Sequence, residues 1–149
     1  MKESKRLGYD NVLFLDAIGR ENIEEMSGMN VFAKFGDTWK TPPIGDTILD
    51  GVTRKSIIDL CREQNFKVTE ENFTIKELTQ GAKSGELKEF FACGTAAAIT
   101  TIREIGWQGE NYQINGGEIG ADTQTLFSAM TGIHYGQRQA PNPEWLIEI

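Results

Sequence analysis

The 149-residue chain carries a net charge of -7, with 39% hydrophobic and 25% charged residues, the composition of one soluble globular domain with a real hydrophobic core. Its 15 basic residues are scattered, which argues against nucleic acid as a partner, and no apolar run approaches the roughly 18 residues that a membrane span needs. Two cysteines, Cys61 and Cys93, form no Cys-x-x-Cys pair and have only His134 for company, too little for a zinc site; both are expected to be buried, reduced thiols.

Met1 to Leu7 reads as the tail of a helix that Gly8 ends. Its charged residues lead into Leu7-Gly8-Tyr9-Asp10 and not into an apolar stretch, so no secretory signal is written there and a cytoplasmic location is expected. Asn11 to Ala17 is a short apolar strand, and Met29 to Phe35 alternates as a second, with Gly36-Asp37 turning the chain into a returning strand at Thr38 to Thr41 that Pro42-Pro43 cuts short. From Val52 to Asn65 the apolar residues Ile57, Ile58, Leu60 and Cys61 recur at helical spacing. Lys67 to Ile75 then reads as a strand, Thr74 or Lys76 to Ala82 as a short helix, and Leu87 to Ala92 as a strand. Ala98 to Trp107 and Asn111 to Ile114 form a final strand pair about the Gln108-Gly109-Glu110 turn, and Ala121 to Ile133 the last long helix. The pattern predicts an α/β fold with one core, and one domain over residues 1–149.

Two glycine-containing turns could hold an anion. Leu49-Asp50-Gly51-Val52-Thr53-Arg54 directly precedes a helix, whose first free amides at Val52 and Thr53 carry the positive end of the helix dipole, while Gly51 permits close approach. Cys93-Gly94-Thr95-Ala96 follows an apolar strand, and Thr95 could add a hydroxyl and an amide. Taken alone, such a turn is more often plain loop geometry. The acidic pair Glu24-Glu25 admits two readings as well: solvated carboxylates, or one buried carboxylate paired with a cationic ring nitrogen.

Taken in order, Gly8-Tyr9-Asp10 before Val12-Leu13-Phe14-Leu15-Asp16, Glu25-Met26-Ser27-Gly28-Met29-Asn30, Thr41-Pro42-Pro43, Ile48-Leu49-Asp50-Gly51-Val52-Thr53-Arg54, Cys93-Gly94-Thr95-Ala96-Ala97 and Thr131-Gly132-Ile133-His134-Tyr135-Gly136 resemble the branched-chain amino-acid aminotransferases along nearly the whole chain. The resemblance implies the large, pseudo-barrel domain of the D-amino-acid/branched-chain aminotransferase-like fold (fold type IV), incomplete at its N-terminus, with pyridoxal 5'-phosphate as cofactor. Glu25 then matches the glutamate that bonds the pyridine nitrogen. Val52 and Thr53, beside Gly51, match the amides that bind the phosphate, Thr95 closes the same site, and Leu49 packs on the ring. Gly28 and Ala96 fall where the family lines its substrate pocket. The implied reaction exchanges the amino group of leucine, isoleucine or valine with 2-oxoglutarate; the implied partners are branched-chain amino acids, 2-oxo acids and a second copy in a homodimer.

Several departures accompany the match. The family's Schiff-base lysine lies on a strand upstream of the Gly-Tyr-Asp segment, so neither Lys2 nor Lys5 takes that role, and this chain is expected to lack both that strand and the small N-terminal domain and to be catalytically incomplete alone. Asp50 stands where the family usually has proline, placing a negative charge beside the phosphate site unless it turns back to cap the helix. Gly28 stands where some relatives carry threonine, and Ala97 and Thr100 replace the redox Cys-x-x-Cys of some animal members. The rival readings are a non-catalytic module that binds pyridoxal phosphate or another phosphate or pairs with a separate chain, and a D-amino-acid aminotransferase or aminodeoxychorismate lyase relative.

Overall fold

Two strands, Met29–Phe35 (β3) and Leu87–Cys93 (β6), form the spine of the computed structural model, which describes residues 2–145. They pair antiparallel with Asn30 opposite Cys93 and Phe32 opposite Phe91. The other edge of β3 is shared. Its first residues pair with Ile23–Met26 (β2) and its last with Thr38–Thr41 (β4), both antiparallel. Leu13–Leu15 (β1) extends the sheet beyond β2 and Thr100–Thr101 (β7) beyond β6, while Lys67–Glu70 (β5) runs parallel to β4.

Ile23–Met26 is a strand that the sequence reading does not anticipate, its period-2 signal being hidden by the central Glu24-Glu25. Ser27 (φ 44°) and Gly28 (φ 82°) alone make the two-residue hairpin, both in the left-handed region that such turns require. The predicted strand over Lys67 to Ile75 is shorter. Thr74 caps the helix Ile75–Ser84 (α3) through a capping box with Glu77, and Gly85 (φ 77°) closes its other end. The continuous strand expected from Ala98 to Trp107 is broken at Ile102-Arg103: Ile102 N–H still bonds Phe90 O at 2.8 Å, in step with the β6–β7 ladder, whereas Arg103 O accepts from Ile114 N at 2.9 Å and Glu104–Trp107 (β8) pairs separately with Glu110–Gln113 (β9).

Because β3 and β6 are apolar on both faces, alternate side chains supply two clusters in place of the single core expected. Phe32 and Phe91 stack at 5.2 Å and pack with Trp39 against the helices Val52–Glu63 (α2) and Ala121–His134 (α4). Val31, Ala33, Phe90 and Ala92 face Ile23, Phe73 and Leu78 on the opposite side. Residues Ile57, Ile58, Leu60 and Cys61 of α2 are buried as the periodicity predicts. Both cysteines are free and buried, and burial pushes each thiol up to about 12. Lys2–Arg6 (α1) is a short helix, and Gly8 (φ 86°) reverses the chain after it. Among the described residues no helix is long and apolar enough to cross a membrane.

Candidate functional site

One row of the sheet organises the site. Asn30, near the start of β3, is flanked in register by Glu25 on β2 and Cys93 on β6. Just past Cys93 the chain leaves the sheet in a tight bend, Gly94 N–H to Ala97 O at 3.3 Å, which carries Thr95 and Ala96 exposed beyond the strand end. A Cβ on Gly94 would lie 3.1 Å from Met29 Cγ, so this bend is pressed against the residue next to Asn30.

The second half of the site comes from the segment before α2. Leu49 is held at both ends of its backbone: its N–H donates to Glu25 Oε1 at 2.5 Å, and its carbonyl accepts from Asn30 Nδ2 at 2.9 Å and from Gly51 N at 2.8 Å. Its side chain remains 63% exposed. Gly51 is the N-cap of α2 with ordinary extended angles (φ -69°, ψ 134°), yet a Cβ there would overlap Asn30 Oδ1. Glycine is therefore required by close approach and not by backbone conformation. No side chain caps the helix, which leaves the first-turn amides at Val52, Thr53 and Arg54 available to an anion.

Asp50 does not cap the helix. Its Oδ2 accepts instead from Lys55 Nζ at 2.6 Å, one turn along α2, so the negative charge that the sequence places beside the uncapped helix start is paired. Lys55→Met is expected to weaken the affinity of the chain for a phosphate monoester about threefold at low ionic strength, as befits an exposed pair. The difference should vanish near 1 M salt, where the screening length is about 3 Å; titrations at two ionic strengths check it, and a difference that survives high salt would mean that Lys55 acts by shape.

Arg54 anchors the same turn from below. Its side chain is only 2% exposed, Nη2 donates to Pro42 O at 2.9 Å and to Glu70 Oε2 at 2.8 Å, and Nε is buried without a partner. Helix α2 is thus pinned to the Pro42-Pro43 segment and to β5.

Of the residues that sequence reasoning selected, Glu25, Leu49 and Gly51 meet directly or through Asn30, and Val52 (81% exposed) and Thr53 form the adjoining helical turn. Thr95 and Ala96 adjoin this group by the Asn30–Cys93 register. Gly28 sits at the hairpin tip with open space around its Cβ position, which makes it the most peripheral of the set. Asn30 and Arg54 were not singled out. Their signal was a polar residue set among the apolar residues at the start of a strand, and an arginine among the buried positions of a helix face.

Comparisons with known proteins show the family of the chain. The family described as amino-transferase class IV matches residues 1–105. Branched-chain-amino-acid transaminase 1 of Bacillus subtilis (strain 168) is 36% identical over 148 residues, covering 99% of this chain and 41% of the relative. Among solved structures, the branched-chain amino acid aminotransferase of Escherichia coli superposes with a TM-score of 0.76 at 32% identity, over 91% of this chain and 42% of that one. The branched-chain aminotransferase of the thermophilic archaeon Thermoproteus uzoniensis, solved with norvaline, gives 0.74 at 30% identity over 93% and 41%. The chain spans about two fifths of the length of the relatives it matches. With the motifs of its site falling inside the matched region, the chain belongs to the class IV aminotransferases.

Proposed function

We propose that residues 1–149 form one cofactor-binding unit of a branched-chain aminotransferase, which exchanges amino groups between branched-chain amino acids and 2-oxo acids and works as a homodimer. The observation that carries this reading is the double hold on Leu49, which places a carboxylate, an exposed apolar side chain and uncapped helix amides side by side. Those are the groups that a protonated pyridine ring bearing a phosphate would need, and the contact of Gly51 with Asn30 Oδ1, which leaves no room for a Cβ, sets the start of α2 against the sheet that carries Glu25. In this reading Glu25 holds a proton on the ring nitrogen, Leu49 packs on the ring, the Val52 and Thr53 amides and Thr95 hold the phosphate, and Gly28 and Ala96 border the substrate. Bound there, pyridoxal phosphate supplies an electron sink for the bonds at the substrate Cα.

No lysine of this chain is assigned the Schiff-base role. Lys34, Lys40, Lys67 and Lys83 are ion-paired to Asp122, Glu71, Asp37 and Glu110 on other elements, and Lys55 pairs with Asp50. Lys76 on α3 and Lys88 on β6 are exposed, and in this reading the chain alone binds the cofactor without turnover. Titration with pyridoxal phosphate, followed by visible absorbance before and after borohydride, should show saturable binding weakened roughly tenfold by Glu25→Ala and by Thr95→Ala, about the worth of one charge-assisted hydrogen bond. Equal binding by all three proteins would remove the site; stoichiometric labelling of one lysine would remove the claim of incompleteness.

A further inference from the structure

Asn30 is 5% exposed in the first part of β3, Met29-Asn30-Val31-Phe32-Ala33, where its neighbours are all apolar. A buried amide disfavours folding unless its hydrogen bonds are made, and valine or leucine would fill such a strand position more favourably. Something specific must therefore be gained there. Nδ2 spends its hydrogen bond on the Leu49 carbonyl at 2.9 Å, a contact between β3 and the loop before α2. Oδ1 lies against Gly51 so closely that any side chain at 51 would displace it. The residue beside Asn30 in the sheet is Glu25, and Glu25 Oε1 takes the N–H of the same Leu49 at 2.5 Å. Two neighbouring side chains of the sheet thus grip the backbone on either side of a single Cα.

We propose that Asn30 is a positioning residue of the site: by holding the Leu49 carbonyl it presents the Leu49 N–H to Glu25 Oε1 and fixes the distance between the Glu25 carboxylate and the amides of α2. This rests on the assignment of Glu25 and the α2 amides to one cofactor. With Oε1 occupied by Leu49, Oε2 is the oxygen left to face a ring nitrogen. Without Asn30 the loop can shift along the sheet, Glu25 can rotate, and the two ends of the ligand are no longer matched at once.

Two isosteric variants separate this from a packing role. Asn30→Leu removes the amide, and Asn30→Asp keeps the shape but turns the donor into an acceptor facing the Leu49 carbonyl. Amide hydrogen exchange on the ligand-free chain is the first readout, pyridoxal phosphate titration the second, and the pH dependence of the bound cofactor's visible spectrum the third. In either variant that folds, the Leu49 amide is expected to exchange roughly tenfold faster while Val31, Phe32 and Phe91 keep their protection, the cost of one hydrogen bond localised to the loop. Pyridoxal phosphate should bind roughly tenfold more weakly, and the spectral midpoint should move, because the partner of the ring nitrogen has been loosened. Unchanged exchange at Leu49, or protection lost evenly through the sheet, would overturn the proposal whatever the ligand does. Faster Leu49 exchange together with a wild-type chain that binds no pyridoxal phosphate would instead overturn the cofactor assignment, and with it the purpose given to Asn30.

Discussion

Gly51→Ala is expected to weaken pyridoxal phosphate binding at least tenfold and to lower the stability of the chain by about 2 kcal/mol, the usual range for one methyl group forced into a filled space. Backbone strain does not enter, since φ -69° and ψ 134° suit alanine as well as glycine. The entire effect comes from overlap of the new Cβ with Asn30 Oδ1, whose amide cannot withdraw without releasing the Leu49 carbonyl. A shorter residue at position 30 should therefore restore the room but not the grip. Gly51→Ala with Asn30→Ser is expected to recover much of the denaturation midpoint while ligand affinity stays low. A single Gly51→Ala variant that binds within twofold of the parent would show that the close approach is dispensable.

Glu89→Ala should produce the largest loss of stability of any single change considered, about 3 kcal/mol and roughly 10 °C in Tm. Glu89 is 7% exposed on β6, and its carboxylate serves as a cap for a helix far along the chain: Oε1 accepts from Asp122 N at 3.3 Å, and Oε2 from Thr123 N at 2.7 Å and Thr123 Oγ1 at 2.6 Å. Lys34 Nζ stands 3.7 Å from Oε1 and binds Asp122 at 2.5 Å, so the charge is answered on both sides. Gly120, the N-cap of α4, would drive a Cβ into that carboxyl. Removing the carboxylate strands two helix amides in a buried place, whereas Glu89→Gln keeps one acceptor and loses mainly the attraction of an anion for the helix N-terminus, about 1 kcal/mol. Urea denaturation of both variants checks the order. Pyridoxal phosphate binding well below the melting temperature should be unchanged in each, because Glu89 supports α4 and not the turn that carries Gly51.

Much of the α/β pattern was legible because its elements carry strong local signals. The alternation in Met29–Phe35, the Gly36-Asp37 turn and the apolar stripe of α2 each point one way, and each element forms where it was expected. The strand at Ile23–Met26 was not, since its outward glutamates sit at its centre and its burial depends on partners in β1 and β3. The break at Ile102-Arg103 was equally hidden: the chain changes partner there, from β6 to the residues after β9, with Arg103 O accepting from Ile114 N, and no local spacing encodes that. The same division runs through the site. Gly51, Val52 and Thr53 are visible as a glycine before a helix, and Glu25 through family resemblance. Asn30 carries no chemistry of its own that a motif search would weigh, and only the register of three strands reveals what it touches.

That register also bears on how the chain folds. The row from Glu25 through Asn30 to Cys93 unites residues from distant parts of the sequence, and its last member arrives only when β6 docks on β3. Contacts of this range close slowly, because the loop entropy is lost before the pairing offsets it. A ligand that needs both Glu25 and Thr95 has no affinity for a chain in which that docking has not occurred. Cofactor added during refolding should then leave the early phases unchanged and act on unfolding, slowing the step that separates β3 from β6, so that occupancy at one end of the sheet sets the lifetime of the whole.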